Sequence, residues 1–358
     1  MPVTRVVGAR LPDLSAVRLA YSGHLSLNIV PALASLLDRG GRLFLTTCNP
    51  ATVRDAVVAY LKDRGAEAYA WKAMPPEAHR AGIDKALAWQ PTHTCEMGAD
   101  LTAAAHHSGV TTIRAALEAT GSGINRLKGV DLRYPVFNWD DLPVKEGLHN
   151  RHMVGLTTWN MFFERTWLSL HGKRVVVVGY GLVGQGVAAS AQAFGGVVSV
   201  VEQDVARRLQ ARFDGWHTAS LLDLAPNADV VVTATGASGV IDAETIARLK
   251  PGCFLINVGH TADEIDLAAL PERRAVLPHV AACRVGDHEI YLMAGGSMAN
   301  LTAGHGDSLN AFDITSAVMT AGFGFIATLD DTWPNAVHPL PEAVWRGVAE
   351  DAVKGEGW

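Results

Sequence analysis

Three glycines near the middle of the chain have the spacing of a loop that binds phosphates. Gly179, Gly181 and Gly184 fit the pattern G-x-G-x-x-G, directly after an apolar run and before an alanine-rich stretch. The first glycine permits a tight turn, the second lets the backbone approach a pyrophosphate, and the third lets a helix pack closely. Leu182 and Val183 begin that helix, and the amides of a helix N-terminus bind phosphate oxygens. The motif therefore predicts a dinucleotide site.

An acidic residue about twenty positions further on distinguishes two cofactors. Glu202 ends the apolar run 197–202, which reads as the second strand of the same βαβ unit. A carboxylate at this position accepts hydrogen bonds from the adenosine ribose hydroxyls and repels a 2′-phosphate. We therefore expect NAD rather than NADP.

The elements that must hold this loop predict a doubly wound α/β domain. Helical patterns separate several apolar runs of strand length, which is typical of buried parallel strands. These runs are residues 175–178, 197–202, 230–233, 254–258 and 291–294. Residues 153–170 predict a connecting helix. We place a Rossmann-like NAD-binding domain at residues 151–303.

The N-terminal part has an α/β pattern of its own. Periodicity and turn residues predict strands at 41–47 and 66–70 and helical segments at 27–38, 50–64 and 83–89. We expect a separate α/β substrate-binding domain at residues 1–150. The segment 304–358 is helical in pattern and interrupted by prolines, and we expect it to pack back on this domain.

Composition argues against several classes of function. The 358 residues are 49% hydrophobic, enough to bury the cores of two domains. A net charge of −6 without a Lys/Arg-rich run argues against a nucleic-acid partner. The apolar runs are short of the roughly 20 residues that a membrane helix needs, and no signal peptide or lipidation pattern is evident. We expect a cytoplasmic protein without a membrane partner.

The thiols and imidazoles predict no metal site. Cys48, Cys95, Cys253 and Cys283 lie far apart without a C-x-x-C pair, which indicates reduced thiols. The fourteen histidines include no pair with a carboxylate in a ligand pattern. We therefore expect no structural metal.

Motifs spread over nearly the whole chain resemble one family. In the C-terminal half they are the glycine motif, residues 257–260 with 264–266, Asn300 and residues 304–305. In the N-terminal half they are residues 23–26, 48–49, 69–72, 98–102, Lys145 and residues 149–150, and residues 333–334 and 337–341 follow near the end. The set resembles the S-adenosylhomocysteine hydrolase family. That resemblance implies an NAD-binding Rossmann-like domain beside a separate α/β substrate domain.

The resemblance implies an NAD that is reduced and reoxidised within one turnover. Oxidation of the C3′ hydroxyl of an adenosine-type nucleoside to a ketone acidifies the C4′ proton, and loss of this proton expels the group on C5′. By resemblance Lys145 assists deprotonation of the C3′ hydroxyl. His24 and His260 match histidines near C5′ and the nicotinamide ribose.

The same resemblance implies further contacts. The residues expected around the cofactor are Thr120, Ser122, Asn150, Thr235, Gly259 and Asn300. His305 matches a histidine that contacts the adenine and gates the site.

Other positions depart from the family pattern. His149 stands where the family has an aspartate beside the lysine, and we include His149 among the catalytic candidates. Met97 replaces an acid on the C5′ side, and a thioether neither donates nor accepts a proton in catalysis. The family's C-terminal lysine and tyrosine, which reach the cofactor of a neighbouring subunit, have no counterpart in residues 355–358. We nevertheless expect a homodimer or homotetramer.

The substrate side also differs. The family's ribose-binding glutamate appears as Ala119, with Glu118 next to it as a substitute. Asn28 replaces a glutamate that binds adenine, and Ser26 replaces a threonine near the base. Together with Met97, these are the expected substrate contacts.

These differences leave three functional hypotheses. The leading one is a divergent enzyme that oxidises C3′, eliminates at C5′ and stops at the alkene, a nucleoside 4′,5′-dehydratase suited to angustmycin-type antibiotics. The second is a true S-adenosylhomocysteine hydrolase in which His149 replaces the lost aspartate. The third is a catalytically silent NAD-binding regulatory protein, because a fold does not guarantee chemistry.

Overall fold

Strands and helices alternate along most of the chain. The structure is a computed structural model that describes residues 1–260, 262–330 and 332–355. It has two compact units: Met1–Glu146 together with the described residues from Leu309 onward form the first, and Gly147–Ser308 forms the second. Glu356, Gly357 and Trp358, on which the comparison with the family's C-terminal lysine and tyrosine depends, lie outside the described residues.

The strands are numbered along the chain. They are β1 (Arg18–Ser22), β2 (Arg42–Thr46), β3 (Glu67–Ala68), β4 (His93–Glu96), β5 (Ala115–Glu118), β6 (Val136–Asn138), β7 (Arg174–Val178), β8 (Val197–Val201), β9 (His217–Thr218), β10 (Val230–Thr233), β11 (Phe254–Asn257), β12 (Arg273–Leu277), β13 (Val280–Val285), β14 (His288–Met293) and β15 (Val337–Pro339).

The α-helices are numbered in the same way. They are α1 (Pro2–Ala9), α2 (Val30–Asp38), α3 (Asp55–Asp63), α4 (Pro76–Ala88), α5 (Asp100–Ser108), α6 (Gly121–Arg126), α7 (Val154–Thr166), α8 (Leu182–Ala193), α9 (Val205–Phe213), α10 (Leu221–Leu224), α11 (Ala243–Arg248), α12 (Ala299–Thr302), α13 (Leu309–Ala327) and α14 (Glu342–Lys354). A wider π-helical stretch, Glu146–Met153, precedes α7.

The first unit contains a parallel sheet in the order β15-β6-β5-β4-β1-β2-β3. The chain extends the sheet from β1 through β2 and β3 on one side, and then from β4 through β6 on the other. The last strand, β15, comes from the C-terminal segment and pairs Val337 with Val136. The point where the winding direction changes lies between β1 and β4.

Helix α13 belongs to the core of the first unit. By length and composition alone it could cross a membrane, but 67% of its apolar window is buried within the protein. Phe312, Val318 and Phe323 belong to the same buried cluster as Leu19 of the central strand. The carboxylate of Asp313 also accepts hydrogen bonds from the first-turn amides of α1. Leu309–Ala327 is therefore accounted for as a core helix.

The second unit has the order β12-β13-β14-β11-β10-β7-β8-β9. Strands β14 to β9 are parallel, as the apolar runs predict, and the winding direction changes between β7 and β10. The edge differs from the all-parallel expectation, because β12, β13 and β14 form an antiparallel meander. A two-residue turn at Gly286, whose φ is +57°, joins β13 to β14 and is typical of a hairpin.

Several predicted boundaries were wrong by a few residues. The helix expected at 50–64 begins only at Asp55, because the Asn49 side chain caps a separate short turn at Pro50–Thr52. The helix expected at 153–170 ends at Thr166, since Trp167 adopts a left-handed conformation. The helix expected at 83–89 begins earlier, at Pro76, where a proline occupies the first helical position.

Candidate active site

The change of winding direction in the first unit brings several predicted residues to one edge of its sheet. In open α/β sheets, ligands bind outside the carboxyl ends of the strands at such a switch point, because the loops there diverge. His24 and Ser26 follow β1, Met97 follows β4, and Thr120 follows β5. The N-terminal set therefore lies at the edge where a small molecule is expected.

His24 is held by a threonine hydroxyl. Its Nδ1 lies 2.9 Å from Oγ1 of Thr52, and the same hydroxyl donates to the carbonyl of Asn49 at 2.8 Å. Because that bond uses the only hydrogen of the hydroxyl, Oγ1 accepts from Nδ1–H. The neutral ring then has its lone pair on Nε2, which is an orientation suited to proton transfer.

Glu96 and Glu118 are buried carboxylates at facing positions of β4 and β5. Glu96 accepts from the amides of Leu101 and Thr102 at 2.6 and 2.9 Å, and so caps the start of α5. Burial raises the pKa of Glu96 to about 8, and the nearby Glu118 adds to the rise. Burial likewise raises the pKa of Glu118 to about 7, although backbone and Thr120 hydrogen bonds oppose it.

The carboxylate of Glu118, expected to bind substrate, is already engaged by the protein. It accepts from the amides of Gly98, Ala99 and Thr120 at 3.0, 2.9 and 2.8 Å. Its oxygens thereby fix the loop that follows Met97. In this structure Glu118 shapes the site through that loop.

The remaining predicted substrate residues lie on loops of the same edge. Ser26 and Asn28 are buried, and the hydroxyl of Ser26 donates to Oδ1 of Asn28. Met97 is half-buried, and its amide donates to the carbonyl of Ser22 at 2.9 Å. The loops after β1 and β4 are thus tied together next to Met97.

Thr120 and Ser122, expected near the cofactor, lie at the start of α6 in the first unit. The Thr120 hydroxyl accepts from the amide of Gly123 at 3.0 Å and caps the helix. The Ser122 hydroxyl donates to the Thr120 hydroxyl at 3.2 Å. Both hydroxyls therefore organise this turn.

Lys145 is buried with a partner that the sequence did not reveal. The residue is 8% exposed, and its ammonium forms a salt bridge with Asp140 and donates to the carbonyl of Ala119 at 2.7 Å. It also lies 5.5 Å from the centre of the Trp139 ring. These contacts hold the amine in one place, as a group that acts on a substrate hydroxyl requires.

The glycine motif of the second unit has the predicted geometry. Gly179 follows β7 with a φ of +97°, which favours glycine. Gly181 is the N-cap of α8, and a Cβ on Gly184 would overlap the carbonyl of Gly179. The amides of Leu182 and Val183 lie in the first turn, where helical amides have no intrahelical acceptor.

Glu202 is fixed beside this loop. Its carboxylate accepts from the amides of Tyr180 and Asp204 at 2.7 and 2.9 Å, immediately after β8. The side chain is partly exposed and keeps lone pairs for further donors. A ribose diol supplies two such donors, so the position fits NAD.

The loops after β10 and β11 are joined by Glu264, which is fully buried. Its carboxylate accepts from the Thr235 hydroxyl and the Gly236 amide, each at 2.7 Å. A Cβ on Gly259 would overlap this carboxylate, and the Gly259 amide donates to Oδ1 of Asn257 at 2.8 Å. Thr235 and Gly259, both expected near the cofactor, are therefore set in place by one buried acid.

The other predicted residues of the second unit are distributed around these loops. Asn300 is 2% exposed, and its Oδ1 accepts no hydrogen bond from the described residues. An orphaned buried acceptor fits a ligand with an amide donor such as the carboxamide of NAD. His260 directly follows Gly259, and Asn150 lies in the stretch Glu146–Met153.

The two remaining histidines have different surroundings. His305 is exposed and lies 3.3 Å from a carboxylate oxygen of Glu164. His149 is buried and bonded to Asp307. The glycine loop, Glu202 and Asn300 thus offer phosphate, ribose and amide contacts, and these residues fit a bound NAD.

Four organising acids were not assigned a role from the sequence. They are Glu96, Asp140, Glu264 and Asp307. Asp140 lies two residues after β6, and Glu96 is the last residue of β4. An acid at the carboxyl end of a strand was therefore the signal in the sequence that could have indicated these two. Asp307 offered no local signal, because its partner lies 158 residues away.

Comparisons with known proteins agree with the geometry. Residues 163–306 match the family model described as S-adenosyl-L-homocysteine hydrolase, NAD binding domain. The S-inosyl-L-homocysteine hydrolase of Methanopyrus kandleri is 32% identical, covering 100% of this chain and 88% of that protein. The adenosylhomocysteinase of Archaeoglobus fulgidus is 31% identical over 93% of this chain and 85% of its own length. The adenosylhomocysteinase of Pyrococcus abyssi is 31% identical over 100% of this chain and 88% of its own length.

These likenesses extend through both units and are not confined to the glycine loop. They confirm the resemblance seen in the motifs, and the matched family model is that of an NAD-binding domain. The cofactor is NAD. The chain is a divergent member of the S-adenosylhomocysteine hydrolase family.

Proposed function

We propose that this NAD-dependent enzyme is a nucleoside 4′,5′-dehydratase. The observation that carries the proposal is Met97, on the loop after β4 where the family pattern has an acid. The two nearest acids along the strands, Glu96 and Glu118, are engaged by backbone amides. Adding water or a thiol to an alkene at C5′ requires a base to deprotonate the nucleophile, and a thioether cannot do so.

The reaction balances without net oxidation. When bound, NAD supplies a two-electron oxidant for C3′ and returns the electrons after elimination. Between these steps C4′ loses its proton, the C4′–C5′ double bond forms, and the C5′–O bond breaks. The departing oxygen takes up a proton and leaves as water.

The side chains of the first unit divide this work. The amine of Lys145, fixed by Asp140 and the Ala119 carbonyl, donates to the C3′ oxygen and stabilises its negative charge. The imidazole of His24, oriented by Thr52, accepts the C4′ proton on Nε2 and passes it to the C5′ oxygen as that oxygen leaves. Asn28 offers both a donor and an acceptor to the nucleobase, which suits adenine or hypoxanthine.

The second candidate is a hydrolase that releases homocysteine. It is favoured by the names of the relatives, adenosylhomocysteinase and S-inosyl-L-homocysteine hydrolase. In that reading His24 alone handles protons at C5′. The candidates differ in the leaving group, and therefore in the product.

Product analysis separates them. Purified protein loaded with NAD is incubated separately with adenosine, inosine, S-adenosylhomocysteine and S-inosylhomocysteine, and the products are analysed by mass spectrometry. We expect a nucleoside lighter by one water from adenosine or inosine. Efficient release of homocysteine without any dehydrated nucleoside would contradict the dehydratase. Failure of every compound to reduce NAD would favour a silent NAD-binding regulatory protein.

A lysine variant tests the assigned chemistry. Lys145→Met should retain NAD but slow nucleoside-dependent NAD reduction by roughly 10²-fold or more, because the C3′ oxyanion loses its charged donor. Lys62→Met, an exposed position on α3, is the matched control. Unchanged NAD reduction in Lys145→Met would remove Lys145 from the mechanism. We further propose that the enzyme acts in the cytoplasm.

A further inference from the structure

A buried histidine and a buried aspartate meet within the second unit. Nε2 of His149 lies 2.6 Å from Oδ2 of Asp307. Their side chains are 11% and 5% exposed. His149 lies in the π-helical stretch Glu146–Met153, and Asp307 lies in the loop between α12 and α13. Neither the comparison of motifs nor the family model assigns a role to Asp307.

The aspartate is placed at a considerable energetic cost. Burying a carboxylate is unfavourable unless it is paired and hydrogen-bonded. Oδ2 of Asp307 bonds to His149, while Oδ1 is buried and accepts no hydrogen bond from the described residues. An arrangement chosen for stability alone would satisfy both oxygens. This one directs the carboxylate at a single imidazole nitrogen.

The contact determines the tautomer of the ring. A carboxylate accepts and does not donate, so Nε2 of His149 bears the hydrogen. The neutral imidazole then has its basic lone pair on Nδ1. A buried carboxylate that fixes the tautomer of a histidine is the arrangement that makes imidazole a general base in hydrolytic triads.

The pair lies beside the elements that fit NAD. The backbone carbonyl of Arg151, two residues after His149, packs on α8 so closely that a Cβ on Gly186 would overlap it. On the other side, the amide of Gly306 donates to the carbonyl of Asn300 at 3.1 Å. His149 is therefore two residues from a contact with helix α8, and Asp307 is one residue from a hydrogen bond to Asn300. Both α8 and Asn300 are assigned to the cofactor.

We propose that Asp307 is the positioning residue for His149, and that Nδ1 of His149 accepts the proton of the substrate's C3′ hydroxyl. The inference rests on the proposed C3′ oxidation. The O–H bond breaks and its proton goes to Nδ1, while the C3′–H bond breaks and its two electrons would pass to NAD when that cofactor is bound. The return step reverses both transfers.

The first test is spectroscopic and independent of turnover. Long-range proton–nitrogen correlation spectra of protein with isotope-labelled histidine, recorded above neutral pH, distinguish the two tautomers. We expect His149 to carry its hydrogen on Nε2 in the native chain and to become a mixture of tautomers in Asp307→Ala. A native ring with its hydrogen on Nδ1 overturns the proposal.

The second test measures single-turnover NAD reduction after nucleoside is added. Asp307→Asn should slow it by about a hundred-fold or more, with little change in the affinity for nucleoside, because the amide no longer imposes one tautomer. Formate added to Asp307→Ala should restore part of the rate. Asp229→Asn, which loses a salt bridge at the amino end of β10, should remain within about two-fold of the native rate.

The outcomes separate the inference from the proposed function. Native NAD reduction with an unaffected Asp307→Asn variant overturns the pair alone. If no nucleoside reduces the NAD of the native protein, the proposed function is overturned, and the role of the pair with it. If Asp307→Asn loses its folded state along with its rate, and formate does not restore the rate of Asp307→Ala, the contact is purely structural. That result also counts against a positioning role for Asp307.

Discussion

Two buried glutamates that bind the loop after β4 should make the stability of the protein depend on pH. Glu96 and Glu118 face each other on adjacent strands, and their carboxylates hold the amides around Gly98 and at the start of α5. Both acids shape the loop that carries Met97. Because their pKa values are raised to about 8 and about 7, the folded state keeps protons that the unfolded state releases.

The stability of the protein should therefore fall as pH rises. Below pH 6.5 a second effect opposes this fall in stability. Burial lowers the pKa of His93 to about 4, so between pH 4 and 6.5 the unfolded chain binds a proton at His93 that the folded chain does not. Between pH 6.5 and 8 the folded state loses the protons of the two glutamates, and we expect the free energy of unfolding to decrease by on the order of 2 kcal/mol from this effect. Denaturant titrations at several pH values measure it.

Glu96→Gln provides the matched variant, because an amide has the shape of the carboxyl group and no charge. Its free energy of unfolding should change less with pH over this window. Glu77→Gln, an exposed position on α4, should keep the native slope. A slope unchanged in Glu96→Gln would show that this carboxyl does not titrate in the window.

At the scale of elements, two glycines of one motif have different reasons to be glycine. A Cβ on Gly184 would overlap the carbonyl of Gly179, whereas the nearest protein atom to a Cβ on Gly181 is 3.9 Å away. The fold itself therefore requires Gly184. Gly181 has room within the protein, and the ligand is the remaining reason for its small size.

The glycine variants should separate folding from cofactor binding. Gly184→Ala should destabilise the second unit by about 1–3 kcal/mol even without NAD, because helix α8 must shift away from β7. Gly181→Ala should leave the melting temperature of stripped protein unchanged and weaken NAD binding about ten-fold or more. Calorimetry of stripped and reloaded protein measures both. Equal loss of stability in the two variants would contradict this division.

Elements were predictable where apolar runs and glycines coincide. Strands β7, β8, β10 and β11 are nearly continuous in valine, leucine and isoleucine, so they were located to within a residue or two. Strand β4 reads His-Thr-Cys-Glu and has no apolar run, yet all four side chains are buried. The carboxylate of Glu96 finds its amide partners at the start of α5 only in the folded chain, which periodicity cannot show.

The site was predictable to the same limited degree. The cofactor followed from Gly179 to Gly184 and Glu202, because a tight turn, a close pyrophosphate and a ribose diol call for those residue types at that spacing. The roles expected of Lys145 and His149 came from family resemblance, and they stay predictions. Of their carboxylate partners, Asp140 lies near a strand end, which was an available signal, whereas Asp307 is 158 residues from His149 and no local pattern indicated it.

At the scale of the whole molecule, one helix carries an exposed apolar stripe. Val205, Leu209 and Phe213 of α9 recur every fourth residue and are 69%, 54% and 85% exposed. Such a stripe is unusual for a monomer and is typical of a surface covered by a partner. Family resemblance makes a second copy of this chain the expected partner.

We expect light scattering to give a mass of two or four chains of 38.1 kDa. Leu209→Glu should lower that mass, because it places a charge in the stripe that we expect a second copy to cover. Arg208→Gln, a polar position on the same helix, should not. A monomeric mass for the native protein at micromolar concentration would contradict the expected oligomer.

The pairing of β15 with β6 has a consequence for how the chain is made. These neighbours in the sheet are separated by the whole second unit in the sequence, and α13, which fills the core of the first unit, also follows that insertion. On the ribosome the nucleotide-binding unit is therefore complete before the first unit has its last strand or its central helix. The half of the protein that begins synthesis is the half that must finish folding last.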